Sequence, residues 1–173
     1  MATKVWFYIG ASLLIVLAAS SLLAPLLAPH DPLQQSLDKD LLAYSSDHPF
    51  GTDKLGRDIL SRTIYGGRIS LLTGVATVVI SLVIGVAAGS LSGYLGGWLD
   101  LLLMRVVDIL LAFPGILLAI AITAVLGPGL HHVILALCLI GWTSYARLVR
   151  GEILSLRERE FVQAARGLGC PPG

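Results

Sequence analysis

The chain has 173 residues, of which 55% are hydrophobic and 13% charged, with a formal net charge of +1 and a mean hydropathy of +0.83. Soluble domains carry about a quarter charged residues, so this composition excludes an ordinary water-facing fold and predicts an all-α integral membrane protein. Near-neutrality supplies no basic face for nucleic acid, and Cys138 and Cys170, lacking CxxC or Cys/His spacing, imply neither a disulfide framework nor a zinc site.

Four spans follow in chain order. The run from Val5 to Ala28 is uncharged and fits the roughly 20 residues that cross a bilayer. Lys4 and Ala18-Ala19-Ser20 would also suit a cleavable signal peptide, but the apolar run continues to Leu27, which favours an uncleaved anchor. A polar loop over residues 29–68 leads to a second uncharged stretch, Ile69 to Leu99, long enough for one span and a turn at Gly93-Tyr94-Leu95-Gly96-Gly97. In it Ser81, Gly85, Gly89 and Gly93 recur every four residues. Such a stripe lets another helix backbone approach closely in lipid, although a segment rich in Gly, Ala and Ser also produces it by chance.

The third span runs from near Leu101 to the Gly127-Pro128-Gly129 turn, with a kink expected at Pro114. Arg105 and Asp108 share one face near its start. They read either as an ion pair that lowers the cost of insertion or as part of a transport pathway or subunit contact. The fourth span, about His131 to Leu148, contains Cys138 as a small apolar residue and requires Arg147 to snorkel to the interface. The expected organisation is thus an N-terminal tail and first span over 1–28, an external loop over 29–68, and three spans with a terminal polar segment over 69–173. Four spans place Lys4, Arg105, Arg147, Arg150, Arg157, Arg159 and Arg166 on one side and Lys39, Lys54, Arg57, Arg62 and Arg68 on the other. The bias points weakly to cytoplasmic termini.

Two polar segments carry more specific information. In the first, Gly51 and Gly56 have the GxxxxG spacing of a phosphate-binding loop, but Arg57 and Asp58 replace its Lys and Ser/Thr, and no strand precedes it. His48, Asp53 and Asp58 match no metal-ligand spacing, and hydrogen bonding within the loop is the simpler expectation. Ile59, Leu60 and Ile64 share one side of a short helix, which reads as an interfacial helix ahead of the second span. In the second segment, Phe161, Ala164, Ala165 and Leu168 form an amphipathic stripe, with Gly167 and Gly169 placed to end the helix and Pro171-Pro172 to stop it. That helix would either rest on lipid headgroups or dock on a partner.

These residues carry a family resemblance. The loop His48-Pro49-Phe50-Gly51-Thr52-Asp53-x-x-Gly56-Arg57-Asp58-x-x-Ser61-Arg62, with Tyr65-Gly66-x-Arg68-x-Ser70-Leu71, resembles the peptide/nickel branch of ATP-binding-cassette importer permeases. Met104-Arg105-x-x-Asp108, Phe113-Pro114 and Tyr145-Ala146-Arg147-Leu148-Val149-Arg150 are similar to the same branch. Glu160 to Gly169 resembles the EAA loop of these permeases, with Gln163 where the motif has Glu, Gly167 at a position that usually favours helix, and Cys170-Pro171-Pro172 in place of small residues.

The resemblance implies a six-helix permease fold of which four helices are present, the sequence stopping at Gly173 where similar permeases continue through two more spans. It implies a second homologous permease subunit, two ATP-binding subunits and an extracytoplasmic substrate-binding protein as partners, beside membrane lipid. It also implies that Phe161, Gln163, Ala164, Ala165, Gly167 and Leu168 form a cytoplasmic coupling helix, with the N-terminus cytoplasmic and residues 29–68 outside. Peptides are the expected cargo and nickel the alternative, with no cofactor in this chain. His131-His132 suggests nickel less than it suggests an interfacial polar pair, because adjacent residues point about 100° apart on a helix. No Walker motif, Ser/His/Asp set or HExxH spacing is present. Two rival readings are a membrane-embedded enzyme, for which Arg105 and Asp108 would be the available groups, and a truncated fragment without transport function.

Overall fold

The computed structural model describes residues 2–169. The chain forms two compact units, Met1–Gly74 and Val75–Gly173, whose boundary falls inside one long helix.

In the first unit, helix α1 covers Ala2–Leu22 and a single further turn, α2, covers Ala24–Leu27. The uncharged run read as one span is therefore broken at Leu23, just ahead of Pro25. Proline lacks the N–H that would continue the helical ladder, and it is tolerated here because it sits in the first turn of α2. The loop that follows contains a 3-10 turn at Leu37–Lys39 and one isolated antiparallel bridge, Thr52 to Asp58. Helix α3 then runs without interruption over Ile59–Leu95, 37 residues.

This continuity corrects the expectation of a separate interfacial helix: Ile59, Leu60 and Ile64 lie on the first turns of α3 itself. Nothing between them and the apolar stretch breaks a helix. Gly66 and Gly67 weaken it only modestly, by up to about 1 kcal/mol each, and Gly67 is held against α1, where a Cβ would collide with the Ser21 hydroxyl. At 1.5 Å per residue α3 is about 55 Å long, well beyond the roughly 30 Å of bilayer hydrocarbon.

In the second unit, α3 ends in a turn at Gly96 and Gly97, whose φ angles of 65° and 62° lie in the left-handed region. Helices α4 (Gly97–Ala112), α5 (Gly115–Leu126), α6 (Leu130–Arg157) and α7 (Glu160–Gly167) follow. The kink expected at Pro114 is a complete break, and α4 and α5 meet at 89°. Phe113 takes an extended backbone with ψ of 141°, as the ring of a following proline demands. Helix α6 extends well past Leu148 to 28 residues, because no proline interrupts it and its later arginines find partners on other helices. Among the described residues, three helices, α1, α3 and α6, are long and apolar enough to cross a membrane, and the α4–α5 pair gives a fourth span if both halves belong to one crossing.

Apart from Val107, the covered residues of the second unit are small or polar: Ser81, Ser92, Ala136, Cys138, Thr143 and Ala146. Large apolar side chains such as Val75, Val83, Leu101, Ile116 and Val125 point outward. That pattern inverts a soluble core and suits a lipid surround, in which apolar side chains have no reason to hide and helices meet through small residues. The stripe behaves accordingly. A Cβ on Gly85 would lie 2.5 Å from Cβ of Tyr145, and one on Gly89 2.5 Å from the Ala146 carbonyl oxygen. One on Gly93 would lie 3.0 Å from Cβ of Ile153, and one on Gly141 of α6 2.6 Å from the Ser81 hydroxyl. The helix facing the stripe is α6 of the same chain.

Candidate functional sites: the polar loop, an arginine ladder and helix α7

The loop motif folds around two aspartates. Asp53 accepts hydrogen bonds from the backbone N–H groups of Leu55 (2.8 Å) and Arg57 (3.1 Å) and from Nε of Arg57 (2.9 Å). The Arg62 guanidinium reaches the same carboxylate. The Arg57 side chain is the main reason that Asp53 stays ionised well below the ordinary carboxylate range; burial opposes this, and the two backbone donors reinforce it.

Asp58 caps α3, its Oδ2 accepting the Ser61 N–H at 2.7 Å, while Oδ1 lies 3.0 Å from Nδ1 of His48. Burial disfavours the charged form of Asp58, but the Ser61 backbone and hydroxyl, the His48 ring and nearby His30 outweigh it and lower its pKa. The Ser61 hydroxyl also accepts the His30 N–H at 3.1 Å.

Thr52 locks the loop's other edge by accepting the Leu42 N–H at 2.9 Å and donating to the Lys39 carbonyl at 2.5 Å. Gly51 and Gly56 adopt φ of 72° and 68°, and a Cβ on either would strike the carbonyl oxygen of Leu42 or Ser36 respectively. Gly51, Thr52, Asp53, Gly56, Arg57, Asp58, Ser61 and Arg62 thus form one hydrogen-bonded module.

One member of this neighbourhood was not legible in the sequence. His30 joins His48 and Asp58, with one donor atom from each residue within 4.8 Å of the others, and the two imidazole rings lie 4.6 Å apart. Of the trio weighed from spacing, Asp53 belongs instead to the arginines. His30 precedes the motif by a long stretch of loop, and no local spacing rule reaches it.

In the second unit the expected Arg105–Asp108 pair does not form. Arg105 makes no ion pair among the described residues, and Asp108 is held by Nη2 of Arg147 from α6 at 2.7 Å. An i,i+3 pair along α4 loses here to a partner on a neighbouring helix, and Arg147 is anchored to protein instead of snorkelling alone.

Two further arginines continue the pattern. Arg150 grips Asp100 at the start of α4 in a two-pronged contact, Nε at 2.5 Å and Nη2 at 2.7 Å, and the Ser92 hydroxyl donates to the same carboxylate. Arg157 donates to the carbonyl oxygens of Gly93 (2.9 Å) and Tyr94 (3.4 Å) at the end of α3, where a cation complements the helix dipole. Arg147, Arg150 and Arg157 therefore form a ladder on α6 that ties α4 and the end of α3 to it. Their spacing of three and then seven residues was the available signal, since it sets all three on one helical face.

Helix α7 follows α6 after a short turn at Glu158 and Arg159, which the Gln163 side-chain amide braces by a 3.2 Å bond to the Glu158 carboxylate. Phe161 is 64% and Leu168 84% exposed; Ala164 is exposed and Ala165 half-buried. Gly167 is the last helical residue, and Gly169 has φ of 77°, the left-handed geometry of a helix end. Cys170, Pro171 and Pro172 lie outside the described residues.

Comparison with known proteins places this geometry in context. Residues 85–173 match the family described as binding-protein-dependent transport system inner membrane component, a stretch that contains Gly85, Gly89 and Gly93 of the small-residue stripe, the arginine ladder and α7. The chain is 42% identical over 161 residues to the dipeptide transport system permease protein DppC of Bacillus subtilis (strain 168), covering 93% of this chain and 50% of that protein. It is 41% identical over 153 residues to the protein of the same name from Alkalihalophilus pseudofirmus, covering 88% and 50%. It is 49% identical over 163 residues to the glutathione transport system permease protein GsiD of Shigella flexneri serotype 5b, covering 93% and 54%. The chain spans about half the length of the curated relatives it matches. With its apolar helices and this match together, it is a multi-pass protein of the cytoplasmic membrane and belongs to the family of inner membrane components of binding-protein-dependent transport systems.

Proposed function

We propose that the chain serves as a permease subunit of an ATP-driven importer that carries peptides across the cytoplasmic membrane, with ATP hydrolysed in separate subunits. The observation that carries this reading is α7: a short helix with Phe161 exposed on it and Leu168 exposed just past its end, set at the end of a 28-residue helix that three arginines fasten to α3 and α4. A push on α7 would pass into α6 and through the ladder to the neighbouring helices as movement of a unit. Dipeptide and glutathione, the cargoes in the relatives' names, are both small peptides, which supports peptides over nickel. A second permease subunit, two ATP-binding subunits and an extracytoplasmic binding protein would complete the assembly.

Co-purification with the ATP-binding subunits tests the reading. Ala165→Glu and Phe161→Ala are each expected to lower ATPase retention at least tenfold, which corresponds to about 1.4 kcal/mol. Unchanged retention in both variants means that α7 is not the coupling element.

Topology offers a second test. We place the N-terminus and α7 in the cytoplasm and residues 29–68 outside, which requires α4 and α5 to make one crossing. If their 89° break marks a re-entrant loop instead, the N-terminus and α7 fall on opposite sides. In a variant with both native cysteines replaced, Tyr44→Cys should react with an impermeant thiol reagent in intact cells and Ser155→Cys only after lysis. Any other pattern overturns the assignment.

A further inference from the structure

We propose that His30, His48 and Asp58 form a binding site for a late first-row divalent transition metal, with the two imidazoles as nitrogen donors. The site is independent of the transport reading. Nδ1 of His30 and Nε2 of His48 are both buried without a hydrogen-bond partner, and His48 as a whole is only 6% exposed. A buried polar atom normally finds a partner, and one left alone costs free energy. Two such nitrogens in a single neighbourhood call for a common partner.

Two features make that partner a cation. The hydrogen bond of 3.0 Å between Nδ1 of His48 and the Asp58 carboxylate favours the tautomer with its proton on Nδ1, which leaves the lone pair of the orphaned Nε2 free to bind a metal. This is the carboxylate–histidine arrangement that orients metal-bound imidazoles. The Asp58 carboxylate is itself fixed directly behind the ring, because its Oδ2 accepts the Ser61 N–H at 2.7 Å.

The three residues, with Asp31 and Lys39, line a cavity of about 60 Å³, which has room for an ion and a water or two. Neutral imidazole nitrogen is the preferred donor for Zn²⁺, Co²⁺, Ni²⁺ and Cu²⁺, and a poor one for Ca²⁺ or Mg²⁺. The other adjacent histidines, His131 and His132, do not share this arrangement, because Nδ1 of His132 already contacts the Gly127 carbonyl at 3.0 Å.

The test is titration of the purified full chain in detergent with Co²⁺ after chelator treatment, followed by visible absorption, with Zn²⁺ as competitor. One equivalent should bind and Zn²⁺ should displace it. His30→Gln and His48→Gln should each weaken binding at least tenfold, whereas His131→Ala/His132→Ala should leave it unchanged. Lack of binding by the unaltered chain, or binding that survives His30→Gln/His48→Gln, overturns the site, as does binding lost with His131→Ala/His132→Ala.

Should the loop variants fail to fold, the unaltered chain still decides. Zn²⁺ should protect His30 and His48 from carbethoxylation, read residue by residue in the mass spectrum. Equal modification with and without metal refutes the proposal.

Discussion

The polar loop and the α3–α6 pair reach order by opposite means, and glycine shows the contrast best. In the loop, Gly51 and Gly56 are needed for their backbone conformation, with φ of 72° and 68°. The residues buried around them are polar, namely His48, Thr52, Asp58 and Ser61, while Leu33, Leu37, Tyr44 and Phe50 stay exposed. Along α3, Gly85 and Gly89 have ordinary helical conformation and are needed for space, since α6 backbone atoms lie where their side chains would be. Water competes for every hydrogen bond of the loop, so the loop uses many of them and anchors them on ionised aspartates. Lipid competes for no hydrogen bond and offers no hydrophobic drive between helices, so the spans rely on close approach and on a few charged contacts.

The strongest way to break this comparison is to fill the stripe. Gly85→Leu or Gly89→Leu would force α6 away along its length and is expected to destabilise the helix pair by about 3 kcal/mol. Gly74→Leu serves as the control, because a Cβ on Gly74 meets nothing within 4 Å. Thermal unfolding in detergent, followed by helix content, should show a large loss for the first two and little for the third. Equal losses in all three would mean that helix propensity, not contact with α6, sets the effect.

Gly56→Ala probes the other use of glycine. Left-handed backbone strain in an alanine costs about 1–2 kcal/mol, and the new Cβ would also strike the Ser36 carbonyl. Limited proteolysis should show faster cleavage within residues 33–56 while α3 to α6 keep their melting behaviour. A global loss of stability would mean that the loop and the spans do not hold their order separately.

The same contrast explains what could be read from the sequence. Span positions and the Ser81–Gly93 stripe were legible because lipid imposes a length and helices impose a four-residue repeat, both local signals. The amphipathic stripe of α7 was legible for the same reason. The continuity of α3 was misread because Ile59, Leu60 and Ile64 look amphipathic in isolation, and only the lack of any breaker before Ile69 shows that the helix continues. The depth of the break at Pro114 depends on what α5 packs against, and a proline alone does not specify it. Partners brought together from distant positions, Asp108 with Arg147, Asp100 with Arg150 and His30 with His48, have no local signature at all.

The two acidic rungs of the ladder sharpen the account of the spans. The Asp100 side chain is 18% exposed and grips Arg150 by two bonds, whereas Asp108 and Arg147 are 59% and 55% exposed. Asp100→Asn is expected to cost about 2 kcal/mol and Asp108→Asn under about 1 kcal/mol. Double-mutant cycles with Arg150→Gln and Arg147→Gln measure both couplings. A larger coupling for Asp108 would imply that its exposed face meets lipid or another chain and not water.

The smallest expected effect is one of acid on the loop. Asp53 is an acid whose folded pKa lies well below its unfolded value near 3.9. Its contribution to loop stability is therefore fully present above about pH 4, declines as the pH falls through that value, and is gone only below the depressed folded pKa. Proteolytic or hydrogen-exchange protection of residues 33–56 should thus be flat between about pH 7 and about pH 5 and should weaken only in stronger acid. The α3–α6 contact through Gly85 and Gly89 contains no titrating group and should be indifferent throughout. Loosening of the loop already between pH 7 and pH 5 would require a group that titrates in that interval. The control of loop order would then pass from Asp53 to another group.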